Sequence, residues 1–146
     1  MNTTEISTLQ RLAEISRDGR EGFLEAAEAA KDLNLQETFR AASARCETGA
    51  KELETEIVKL GGAPTDSGTL AGAVHRVWTN LKAAVTGGDD RAILEECERG
   101  EDMAKAAYEK ALKAELAPEV GALVRRHYAG VVQNHDLIKK LRDSAH

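Results

Sequence analysis

The sequence predicts an all-α fold: a single four-helix bundle whose second and third main helices are joined by a long crossover containing a short fifth helix. Three observations lead there. Aromatic residues make up only 3% of the chain while Ala, Leu, Glu and Lys dominate, a balance that favours helix and leaves few of the β-branched or aromatic runs that strands use. Apolar residues recur at steps of three and four through four long segments, which keeps one face of each helix buried. One connection, residues 61 to 89, is much longer than the roughly 2 to 8 residues that join neighbours in simple up-and-down bundles. A chain of 146 residues has the size of one domain with one hydrophobic core.

The first helix, about 4–32, places Ile6, Leu9, Leu12, Ile15, Gly19, Phe23, Ala26 and Ala30 on one face, with Thr3 or Thr4 as cap. Gly19 and Gly22 sit inside it, each costing about 1 kcal/mol against Ala. Close packing of a neighbouring helix is the expected reason. The second helix, about 34–60, follows the caps Asp32 and Asn34 and carries Leu35, Phe39, Ala42, Cys46, Gly49, Leu53, Ile57 and Leu60 as a bundle seam. Gly61 and Gly62 supply a left-handed exit and Pro64 prevents resumption.

Within the long connection, Leu70, Val74, Val77, Trp78, Leu81 and Val85 describe an amphipathic helix at about 68–86. A connection of this length returns along the bundle and makes the second and third main helices parallel, as in ferritin-like folds. The third helix, about 89–116, starts at Asp89 or Asp90, with acidic residues from Glu95 to Asp102 ahead of Lys105, Lys110 and Lys113. That order suits the helix dipole. The fourth, about 118–144, opens on Pro118, buries Val120, Val124, His127, Val131, Ile138 and Leu141, and ends in Lys139, Lys140 and Arg142.

A net charge of −5, with 25 acidic against 20 basic side chains spread along the chain, offers no patch to neutralise a phosphate backbone. Nucleic acid is not an expected partner. Met1 to Ser16 lacks the apolar core of a signal peptide and no stretch approaches a membrane span, so the expected setting is cytoplasmic, with no membrane partner. Cys46 and Cys97 show neither a CxxC nor a zinc-finger spacing and read as reduced packing residues.

Several runs carry a family resemblance. They are Asp18-Gly19-Arg20-Glu21-Gly22-Phe23 with Ala26-Ala27-Glu28, His75-Arg76-Val77-Trp78 with Leu81-Lys82, and Gly87-Gly88-Asp89-Asp90-Arg91-Ala92-Ile93-Leu94 leading into Glu98-Arg99-Gly100-Glu101-Asp102. His135-Asp136, followed by Leu141-Arg142-Asp143, completes the set. Together they resemble a ferritin-like family of uncharacterised bacterial four-helix-bundle proteins, a domain of unknown function. The resemblance spans nearly the whole chain and implies a bundle with stress-linked expression, but no reaction.

Ferritin-like proteins that hold two iron ions use a Glu from each of two helices and a Glu-x-x-His pair from each of the other two. This chain departs from that pattern, because the second helix contains no histidine and the residues three before His127 and His135 are Val124 and Val132. Counting at about 1.5 Å per residue puts Glu101 level with Glu21 and Gly22, with Arg45 and Cys46, and with Gln133 to His135. Glu101 falls on the seam Leu94, Cys97, Ala104 and Tyr108, where a lone carboxylate is costly to bury. An inward Arg45 would satisfy Glu101 together with Glu21 or Glu25; alternatively Glu21, Glu25, Glu101 and His135 would converge on a single iron, manganese or zinc ion. A buried polar layer of Arg45, Glu101, His127 and Tyr108 follows from the first reading, with His127 bonded to Tyr108.

No Gly-x-Ser-x-Gly elbow, Gly-rich phosphate loop or His-Glu-x-x-His helix occurs, and no catalytic residue is assigned. The expectation is a non-enzymatic bundle without a cofactor, acting through self-association, as a dimer, or through a protein partner. Trp78 would then mark an exposed apolar strip, whereas the small residues Gly19, Gly22, Ala26, Ala42 and Gly49 point to close helix contact and no cofactor cavity. The alternative is a degenerate ferritin-like protein that binds iron, manganese or zinc.

Overall fold

A computed structural model describes residues 3–63 and 89–145. Among them are four α-helices and no strand: α1 (Thr3–Ala29), α2 (Leu33–Lys59), α3 (Asp90–Leu112) and α4 (Pro118–Ser144). The expected crossover helix at 68–86, with His75 and Trp78, lies outside the described residues, as do Pro64 and Gly87-Gly88.

The helix ends follow local chemistry. Asp32 has extended backbone and its carboxylate accepts from the Asn34 and Leu35 amides, so the chain leaves α1 at Ala29, earlier than periodicity alone suggests. Asp89 caps α3 in the same way, accepting from Arg91 N at 2.9 Å. α2 closes as a Schellman motif, with Gly61 at φ 90, Gly61 N bonded to Val58 O and Gly62 N to Ile57 O. Thr3 and Thr4 are already helical, so neither is the cap. The third helix was expected to reach 116 but stops at Leu112, where the Lys113 and Ala114 amides bond back only three residues. Pro118 then holds Ala117 out of the helical region.

Two cross-links between helix ends settle the topology. The Lys31 and Asp32 amides donate to the two carboxylate oxygens of Asp90, at 2.9 and 3.1 Å, so α3 begins at the end of the bundle where α2 also begins. At the opposite end Glu5 accepts from the Ala117 amide at 2.7 Å, and Gly62 lies beside Ile6. The second and third main helices therefore run parallel, and the connection from 61 to 89 joins opposite ends of a bundle about 40 Å long. α1 packs most closely on α2 and α3 on α4, while α2 and α4 are the most loosely packed of the neighbouring pairs and the diagonal pairs α1–α4 and α2–α3 make no close approach.

The core is in two parts. Near the Glu5 end, Leu9, Leu12, Leu53, Ile57, Tyr108, Val120 and Val124 pack together. Near the Asp90 end, Phe23 stacks on Phe39 with ring centroids 6.3 Å apart, joined by Ile93, Leu94, Cys97 and Ile138. Between them, at mid-height, the sequence supplies Gly19, Arg45, Cys46, Gly49, Gly100, Glu101 and Gly130 where large apolar residues would close the core.

Candidate functional site

The interruption in the core is a pocket of about 330 Å³, lined from all four helices and bounded by Arg45, Cys46, Glu101, Tyr108, His127 and Glu52 among others. Its volume depends on missing side chains. A methyl group at Gly49 would stand 3.6 Å from the His127 ring, and one at Gly130 would stand 3.6 Å from Arg45 Cδ. The small residues read from the sequence as close-contact points are thus divided in role. Gly19 does approach a neighbour, since a Cβ there would meet Cys46 Sγ at 3.0 Å. Yet Gly19 and Gly49 also line the pocket together with Gly100 and Gly130, because α2 and α4 diverge on this side of the bundle.

Glu101 projects from α3 into this layer and is 3% exposed. Arg45 reaches it from α2, its Nη2 lying 3.6 Å from Glu101 Oε1, with the arginine side chain itself 32% exposed. The contact is an ion pair longer than a hydrogen bond. Burial lifts the Glu101 carboxyl above the ordinary carboxylate range, and the Arg45 guanidinium opposes that shift. Burial also pushes the Cys46 thiol up to about 12, which keeps it protonated and unreactive at neutral pH. Cys97 is fully buried and shifted in the same direction for the same reason.

One layer toward the Glu5 end, His127 Nε2 stands 2.7 Å from Glu52 Oε1 and its Nδ1 stands 3.5 Å from the Tyr108 hydroxyl. A carboxylate only accepts, so Nε2 donates to Glu52 while Nδ1 faces the Tyr108 hydroxyl. The His127 hydrogen bond is the main reason the Glu52 carboxyl lies below its ordinary range. Burial raises the Tyr108 hydroxyl, opposed by a hydrogen bond with Ser16. Arg126 approaches the same Glu52 carboxylate at 3.4 Å.

The remaining sequence candidates lie elsewhere. Glu21 and Glu25 are exposed on α1, and Glu21 pairs with Arg20 at 3.8 Å, so neither is brought to Glu101. His135 is on the seam between α3 and α4, where Nε2 lies 2.5 Å from Asp102 and Nδ1 lies 3.3 Å from Asp136. There it joins Glu98 and Asp102, with one donor atom from each residue within 4.8 Å of the others. Glu98 already accepts from Arg142. These residues do not fit a two-iron centre: the Glu-x-x-His pairs are missing, and a guanidinium faces the one buried carboxylate of the layer.

Glu52 was missed by sequence reasoning, although a signal existed. It lies seven residues beyond Arg45, as Tyr108 lies seven beyond Glu101 and His127 lies seven before Asn134. Extending the level count by two turns in the parallel topology finds it.

The sequence model of a family described as Domain of unknown function (DUF2383) matches residues 4–114, about three-quarters of the chain. The match takes in Arg45, Glu52, Glu101 and Tyr108, while His127 and His135 on α4 lie beyond it. Comparison with curated proteins finds no match.

Proposed function

Starting from the fact that this chain belongs to that family of unknown function, we propose that it is a ferritin-like helical bundle that binds a partner or ligand and has no two-metal oxidase chemistry. The Arg45–Glu101 pair carries this reading. A guanidinium cannot be deprotonated in a protein, so a divalent cation held against Glu101 would meet a permanent like charge. Cys46, a potential nucleophile in the pocket wall, is held as a thiol.

The bundle acts, on this reading, by self-association as a dimer or by binding a protein partner. Leu33 and Val58 on α2, Leu24 on α1 and Leu137 on α4 are apolar and exposed, and they supply contacts for such association. None of the described helices is long and apolar enough to cross a membrane. The family resemblance adds a bacterial origin and a stress-related role to the proposal, and the sequence adds a cytoplasmic setting.

The test is the metal content of protein purified without chelators, measured by elemental mass spectrometry on the wild type and Glu101→Ala, with light scattering across a range of concentrations. Background metal in both proteins and a concentration-dependent dimer are expected. Near-stoichiometric iron or manganese that disappears in Glu101→Ala would sink the reading.

The convergence of Glu98, Asp102 and His135 favours a second reading, in which a divalent ion binds weakly at the α3–α4 seam in competition with Arg142. Zinc or manganese should then raise the melting temperature of the wild type and of Glu101→Ala but not of His135→Ala. Equal melting temperatures with and without metal dispose of it.

A further inference from the structure

Two buried hydrogen-bonding atoms in the wall of the mid-height pocket make no close hydrogen bond among the described residues, Glu101 Oε2 and Arg45 Nη2, although Asn134 interacts with the Glu101 carboxyl and Arg45 Nη2 stands 3.6 Å from Glu101 Oε1. Elsewhere in the wall, Glu52 meets His127 and Arg126, and His127 also faces Tyr108. A buried polar atom without a close hydrogen bond is costly, and a ligand that bonds to both atoms removes that penalty.

Charge narrows the class of ligand. Arg45 and Glu101 neutralise each other, as Glu52 and Arg126 do, and much of the remaining wall is apolar or small: Ile15, Gly19, Gly49, Gly100, Ala104 and Val131. An anion or a cation added here would leave an unpaired charge in surroundings that solvate it poorly. A neutral group with a donor beside an acceptor leaves none. Its N–H donates to Glu101 while its C=O accepts from Arg45, the geometry of an amide edge. The volume of about 330 Å³ lies at the low end for small-molecule sites, about 300–1,000 Å³, so the rest of the ligand is small and apolar.

We propose that the mid-height pocket binds a small neutral amide, a primary carboxamide or lactam on an apolar body, with its polar edge between Glu101 and Arg45 and its body against Ile15, Ala104 and Val131. The inference rests on the reading of the protein as a binding bundle and names the ligand chemistry of that same layer. The pair then acts as a fixed donor and acceptor, in the place where a metal protein would set its ligands.

Isothermal titration calorimetry with benzamide, benzoate, benzylamine and toluene tests it, because the four molecules are close in size and differ in the polar group. Benzamide should bind at one site, at least tenfold more tightly than each of the others. Arg45→Met and Glu101→Ala should each weaken it at least tenfold. Gly49→Leu, which fills the pocket toward His127 and leaves both charged residues in place, should abolish binding. Tighter binding of benzoate or benzylamine, equal binding of toluene, or no binding at all would overturn the proposal. Where either charge variant fails to fold, the ligand ranking and Gly49→Leu decide. Metal assays on the same samples separate the two claims. Stoichiometric metal lost in Glu101→Ala defeats the binding-bundle reading itself, whereas background metal with no benzamide binding defeats only the ligand class.

Discussion

Arg45 and Glu101 form an unequal pair: the carboxylate is 3% exposed, and the arginine side chain whose Nη2 lies 3.6 Å away is 32% exposed. The carboxylate therefore bears most of the desolvation cost, while the arginine keeps part of its hydration. Removing each partner should have different consequences.

Arg45→Ala strands a buried carboxylate, which costs about 3–5 kcal/mol when both partners are buried and about 0–1 kcal/mol when both are exposed. With one of each, a loss of about 1–3 kcal/mol is expected in urea unfolding at neutral pH. Adding Glu101→Gln should recover most of it, because no charge is then left behind. A double variant as unstable as Arg45→Ala would show that the arginine stem matters more than its charge.

Glu101→Gln tests the carboxylate alone. Its folded pKa is raised by burial, so the folded state binds the proton more tightly than the unfolded chain. Stability from this group is complete below the unfolded value, about 4.3, and declines as pH rises through the folded value. The wild type should lose stability relative to Glu101→Gln between pH 4 and neutrality. A constant difference across that range would mean the carboxylate is well solvated.

Glu52 titrates with the opposite sign. Its folded pKa is lowered, chiefly by the hydrogen bond from His127, so its contribution is present above about 4.3 and is lost as pH falls through the folded value. With 37% of the Glu52 side chain exposed, solvent screening limits the effect to less than about 1 kcal/mol. Thermal melts of Glu52→Gln should be less sensitive to acid below pH 4.5 than those of the wild type. Identical acid limbs would remove Glu52 as a contributor.

Asp90 ties the start of α3 to the turn between α1 and α2 through two backbone amides. Asp90→Ala should cost about 1.5–3 kcal/mol, the range for bonds to a charged acceptor, with an unchanged denaturant slope. A loss below about 0.5 kcal/mol would mean that water replaces the carboxylate without penalty.

Gly61 adopts φ 90, where an L-residue meets its own carbonyl. Gly61→Ala should destabilise by about 1–2 kcal/mol, and Gly61→Asn by less, since Asn tolerates that region. Equal losses for the two would point to packing at this end instead of backbone strain.

The sequence was sufficient for the four main helices, the parallel second and third helices and the shared level of Arg45 and Glu101, because these follow from a 3.6-residue period, caps such as Asp32, the length of one connection and a fixed rise per residue. Counting rise alone brought Arg45 and Glu101 to one height. Rotation about each helix axis is less securely fixed by pattern, since one residue turns a side chain by about 100°. For that reason Glu21, counted to the height of Glu101, is exposed, as is Glu25, and His135 faces Asp102 on the outer seam. Only the tertiary structure decided that α2 and α4 stand apart. Their separation turns Gly49 and Gly130 from contact points into pocket lining, because spacing between helices is set by the packing of all four together and leaves no periodic trace in any one of them.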